Sequence, residues 1–124
     1  MAEIKYPTNR NEVEIQSDLY RDLRAAGIDI RLEVAQPKSS HARFDAVIFI
    51  DEKAVCIIEC KSNLIHELGS QDRKRLNTQV EKYKQIFGLP VLVCGNSSMD
   101  TVRTVVQVKK LISQTALEVK LDRG

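Results

Sequence analysis

The chain lacks most of the features that mark membrane, secreted and nucleotide-hydrolysing proteins. No apolar run in its 124 residues approaches the roughly 20 that a membrane-spanning helix needs. Met1-Ala2-Glu3-Ile4-Lys5 has none of the apolar stretch of a signal peptide, so a cytoplasmic protein without a membrane partner is expected. There are three cysteines, Cys56, Cys60 and Cys94, an odd number in apolar segments that read as buried strands. The C-x3-C spacing of Cys56 and Cys60 sends both to one face of a strand, but no third and fourth ligand accompany them. Buried free thiols are therefore expected rather than zinc. No glycine-rich loop is present to cradle phosphate, which argues against a nucleotide hydrolase. His41 and His66 lack any helpful spacing, Glu67-Leu68-Gly69 completes no zinc-protease motif, and no Ser–His–Asp arrangement is suggested. Internal repeats and low-complexity tracts are absent too.

What is present is an ordinary globular composition, 43% hydrophobic and 29% charged, at a length that fits one domain over residues 1–124. Net charge is only +2, so the sum says little about partners. Arg73-Lys74-Arg75, Lys82, Lys84, Lys109 and Lys110 concentrate in the second half, where helical spacing could gather some into a patch for a phosphate backbone. Solvated helix faces explain each of them equally well.

The hydrophobic pattern predicts a helix from about Asn9 to Ala26, capped by Thr8 or Asn9 and ended by Gly27, with Ile15, Leu19, Leu23 and Ala26 inward. Ile28–Ala35 alternates as a strand would, and Gln36–Ala42 reads as a loop. Phe44–Ile50 and Ala54–Cys60 are too apolar for a half-exposed sheet, and the three residues between them imply an antiparallel hairpin. Asn63–Ser70 is a connection without a clear pattern. Gln71–Phe87 reads as a second helix, with Leu76, Val80, Tyr83 and Phe87 inward and Gly88 as its stop. Val91–Cys94 reads as a buried strand, Met99–Ser113 as a third helix and Ala116–Leu121 as a last strand. The expected class is α/β, a mixed central sheet flanked by helices in the order α-β-β-β-α-β-α-β.

Charge interrupts the two most buried strands. Glu59 and Lys61 share one face of Ala54–Lys61, and Asp45 lies between Phe44 and Ala46 on the neighbouring strand. With Asp51-Glu52-Lys53 as the loop, Ile50 pairs with Ala54, and the same register sets Asp45 opposite Glu59. A two-residue loop would turn Asp45 away. Two carboxylates so placed repel unless protonated or bridged by a cation. Their oxygens suit Mg²⁺, whose shell water and substrate phosphate complete, and Lys61 would act on an attacking water or on developing charge. The bland alternative is a structural Glu59–Lys61 ion pair, with Asp45 serving as a cap.

These residues resemble the signature of the PD-(D/E)xK nuclease superfamily, an Asp at the start of one core strand followed by Glu-x-Lys near the end of the next. The match is Arg43-Phe44-Asp45-Ala46-Val47-Ile48, a hairpin, then Ile57-Ile58-Glu59-Cys60-Lys61, with Phe44 in place of the Pro. Residues 9–95 follow the expected order of elements, and 98–121 would add a C-terminal helix and strand. In pattern the chain is similar to the nuclease domains of type I restriction subunits and to small junction resolvases. The resemblance implies a restriction-endonuclease-like fold and a Mg²⁺-dependent endonuclease acting on DNA, with Mn²⁺ as a substitute. It implies metal ligation by Asp45, Glu59 and the main-chain carbonyl of Cys60, with Lys61 catalytic. It also implies a first-helix Glu at the site. Glu12, in line with Ile15, Leu19 and Leu23, fits better than Glu14 on the polar face. Gln79 and Tyr83 look like a Q-x3-Y element and would bind substrate, although Tyr83 also reads as a core aromatic. A homodimer, a larger homo-oligomer or other subunits would supply what one small domain lacks. The alternative function is an inactive nucleic-acid-binding module of the same fold, or a subunit of a larger restriction or repair assembly.

Overall fold

The computed structural model describes residues 10–37, 41–62 and 69–123, the side chains of 116–123 excepted. The expectations at residues 1–5, at Thr8 and Asn9, and at His66 with Glu67 and Leu68 lie outside the described residues.

Helix α1, Glu12–Ala25, begins later than the periodicity suggests because Asn11 caps it. Asn11 Oδ1 accepts from the Glu14 amide at 2.8 Å, and the Glu14 carboxylate accepts from the Asn11 amide at 3.2 Å. This reciprocal box satisfies donors the first turn would otherwise leave unpaired. Ile15, Leu19 and Leu23 are fully buried, whereas Ala26 is an exposed C-cap residue.

Strands β1 (Asp29–Ala35), β2 (Arg43–Ile50), β3 (Lys53–Cys60) and β4 (Val91–Cys94) form one sheet in that order. The first two pairings are antiparallel, and β3 pairs with β4 in parallel. Between β3 and β4 runs α2, Ser70–Phe87, which Gly88 ends in the left-handed region at φ 65°.

The sheet is mixed and covered on both faces. On one, α1 and α3 enclose a core that includes Leu19, Ile48, Ile58 and Val108. On the other, Val80, Tyr83 and Phe87 of α2 cover Phe44, Val47, Ile57 and Val91. Phe44 is the pivot of this second layer, meeting Tyr83 and Phe87 edge-on at 5.6 and 4.9 Å.

Two expectations need correction. The last strand at 116–121 does not form: α3 runs unbroken over Ser98–Arg123, and the observed order is α-β-β-β-α-β-α. Ala, Leu, Glu and Lys are strong helix formers, and no Gly or Pro stands before Gly124 to stop them. The hairpin loop is also shorter than expected. Ile50 pairs with Lys53, leaving Asp51 and Glu52 as a two-residue turn with φ of 50° and 66°, the positive angles that match strand twist. One extra residue on β3 then restores the register. Phe49 pairs with Ala54 but Ile48 with Cys56, so Val55 is a bulge, and Ala46 meets Ile58 as a three-residue loop would require.

A second irregularity places the polar groups. Ile30 and Leu32 pack beneath α1 and α3 while Val34 packs beneath α2. Ala46 and Ile48 are likewise separated from Phe44. Both strands change face between these residues, at Glu33 and Asp45, which the flanking pairs Leu32↔Ala46 and Val34↔Phe44 set opposite each other. Glu33 takes φ of 52° there. No helix among the described residues is long and apolar enough to cross a membrane.

Candidate carboxylate site

The restored register carries Asp45 to the end of β3. Asp45 Oδ2 accepts from the Cys60 amide at 2.8 Å, and protonated Glu59 hydrogen-bonds to Asp45. Glu59 is only 6% exposed, and its Oε1 is buried with no hydrogen-bond partner. A buried, unpaired carboxylate oxygen carries a desolvation cost that nothing on the chain offsets. Burial, reinforced by the Asp45 charge, pushes the Glu59 carboxyl up to about 7. Burial also raises Asp45 above the ordinary carboxylate range, against the lowering effect of the Cys60 amide. Each carboxyl holds its proton more firmly than it would in water.

Lys61 leaves the sheet at this point. Its amide donates to the Cys94 carbonyl at 2.9 Å, and its charge favours the ionised form of both carboxylates. A direct Glu59–Lys61 ion pair is not among the salt bridges of the described residues, so the bland structural alternative lacks its main contact. Glu12, at the start of α1, is exposed, yet its charge reaches Glu59 and Cys60. Glu14 is occupied by the helix cap. Cys60 turns its thiol away into the α1/α3 core, where burial raises it, and only its main chain belongs to the site. Cys56 and Cys94 are free and buried as well.

Gln79 and Tyr83 share a face of α2 and hydrogen-bond to each other at 3.3 Å. Tyr83 OH also accepts from Gln36 Nε2 at 3.4 Å. The tyrosine ring belongs to the core beneath α2, one residue along β2 from Asp45 through its contact with Phe44. A cavity of 890 Å³ follows the outer face of α2 past Arg73, Lys74 and Lys82. It is lined by one helix alone and by none of the carboxylates, so it is a surface groove rather than the chemical centre. Lys109 and Lys110 sit on α3, across the sheet from that groove, and the expected basic patch divides between two faces.

Four residues at the site escape the sequence reading. Gln16, 5% exposed, donates through Nε2 to the Asp45 carbonyl at 2.8 Å and to Glu33 Oε1 at 2.9 Å. Its signal was present, since it precedes Leu19 by three and Leu23 by seven and so falls on the inward stripe. Glu33 had no such signal, because alternation cannot foresee a left-handed residue inside a strand. Arg10, 3% exposed, donates to the carbonyls of Gly95, Asn96 and Ser97 and pairs with Asp18 at 2.6 Å. Asn96 Nδ2 in turn donates to the Ser62 carbonyl at 2.7 Å. Together they tie the loop after β4 to the residue that follows Lys61.

No family model, no curated protein and no solved structure matches the chain.

Proposed function

We propose that the protein is a divalent-metal-dependent nuclease of PD-(D/E)xK type that hydrolyses phosphodiester bonds in DNA. The observation that carries this reading is the buried Glu59 carboxylate beside Asp45, one oxygen of which has no partner in the chain. A hard cation fits that donor set. Two oxygen-bearing carboxylates of raised proton affinity would exchange a proton for an ion that satisfies both. Among the described residues no group of three or more His, Cys, Asp or Glu side chains is assembled to hold a metal. This suits Mg²⁺, which keeps several waters and takes only one or two carboxylates.

Asp45 and Glu59 would hold the ion, with the Cys60 main-chain carbonyl as a third oxygen and Glu12 at the rim. The bound ion would supply Lewis acidity to water and to the scissile phosphate. Lys61, at the mouth of the pair, places its ammonium where negative charge develops on the phosphoryl oxygens. Asp45 stays oriented through its hydrogen bond from the Cys60 amide, so little reorganisation is needed when substrate arrives. Gln79 and Tyr83 would contact the substrate backbone beside Phe44. A second copy, or another subunit, would provide for the second strand of a duplex.

The test is incubation with linear, circular and branched DNA in Mg²⁺, Mn²⁺, Ca²⁺ or EDTA. Cleavage is expected in Mg²⁺ and Mn²⁺, with binding but little turnover in Ca²⁺. Undiminished cleavage in EDTA, or none on any substrate with any metal, overturns the reading.

A further inference from the structure

Nothing in the nuclease signature calls for a carboxylate on β1, yet the structure brings one to the site. Glu33 stands opposite Asp45 in the ladder, and its charge is felt by Asp45. A single amide nitrogen, Gln16 Nε2, holds the Glu33 carboxylate at 2.9 Å and the Asp45 carbonyl at 2.8 Å. That nitrogen has two protons, one for each acceptor, so both are fixed relative to α1. The backbone at Glu33 is left-handed at φ 52°, where a Cβ crowds the following carbonyl and Gly or Asn is the usual occupant. Aligning three carboxylates against repulsion has no structural benefit in the metal-free chain. Within the same cluster Glu59 is 6% exposed and its Oε1 is buried without a partner, which independently points to a missing cationic ligand.

We infer that Glu33, oriented by Gln16, is a third carboxylate of the cation site, holding the hydrated side of a divalent ion through a water. This inference rests on the nuclease reading for the position of the ion. The Gln16 bond and the lack of a preassembled three-donor group set Glu33 one layer further out than Asp45 and Glu59. Partners of that kind are worth about 10- to 100-fold in metal affinity.

The experiment is calorimetric titration of the full chain with Mn²⁺, for the parent, Glu33→Gln and Glu33→Gly, beside metal-free melting curves. Glu33→Gln keeps an oxygen for Gln16 but removes the charge. Its Tm should match the parent while Mn²⁺ binding weakens about tenfold. Glu33→Gly relieves the backbone crowding, so its metal-free Tm should be no lower than the parent's, again with weakened binding. Parent-like affinity in both variants would overturn the inference and leave the nuclease reading intact. A parent that binds no Mn²⁺ would overturn both.

Discussion

Lys61 and Glu59 are two positions apart but differ in what their loss should cost. Lys61 is half-buried at the end of β3, and only its main chain takes part in the sheet. Lys61→Ala should therefore leave the melting temperature within error of the parent and lower cleavage about 10²- to 10³-fold. A cleavage assay beside a melting curve checks this, and a large loss of stability would assign Lys61 a structural role instead. Glu59 behaves oppositely. Its carboxyl titrates at about 7 in the fold against an ordinary 4.5, so the folded state holds a proton the unfolded chain releases. That contribution is complete below about pH 4.5 and is lost as pH rises through 7. At about 1.4 kcal/mol per unit it amounts to roughly 2–3 kcal/mol. Metal-free parent should thus weaken between pH 4.5 and 8 in urea titrations. Glu59→Gln should flatten that slope and be the more stable protein at pH 8.

The β2–β3 hairpin is the element on which the site depends, and its turn is the part least suited to its conformation. Asp51 and Glu52 both take positive φ, where Asn-Gly is the favoured pair. Glu52 is bonded by Arg31 at 3.0 Å, but the carboxylate is 80% exposed and such pairs contribute little. Glu52→Gly should stabilise the protein by about 1 kcal/mol without altering Mn²⁺ affinity; a destabilised variant would show that the Arg31 contact matters more than the backbone. The same hairpin shows what the sequence makes legible. Apolar runs and charged interruptions located β2, β3 and the opposition of Asp45 to Glu59, because burial demands one register. The turn that delivers this register was not legible. Without glycine, a two-residue loop with a bulge at Val55 and a plain three-residue loop leave the same pattern in the later pairs. The extension of α3 was hidden for a related reason, since Ala-Leu-Glu-Val-Lys-Leu alternates like a strand while its composition favours a helix. Gln16 was readable from helix geometry and Glu33 was not, because only the paired strands reveal the change of face.

Across the whole molecule, the carboxylates link elements that otherwise meet through apolar contacts. Glu12 and Gln16 come from α1, Glu33 from β1, Asp45 from β2 and Glu59 from β3, while the Arg10 and Asn96 bonds tie α1 to the loops after β3 and β4. A cation placed among these groups would bind the folded chain and not the unfolded one, because only folding brings them together. Its binding energy then adds to global stability as RT ln(1 + [L]/Kd), about 2.7 kcal/mol at a hundredfold excess over Kd. For a domain of this size that corresponds to a rise in Tm of roughly 5–10 °C. The parent should show this rise with Mn²⁺ in a saturating titration. Asp45→Asn and Glu59→Gln should begin with a metal-free Tm equal to or above the parent's, since each removes one charge from a repelling pair, and should gain little or nothing from the metal. A structural role for the pair predicts the reverse. Removing one member of a buried ion pair would cost about 3–5 kcal/mol whether or not metal is present. The two readings thus differ in sign in the metal-free melt, so one comparison of three proteins, with Mn²⁺ and with EDTA, separates a site built for a cation from a buried polar contact that only holds the sheet together.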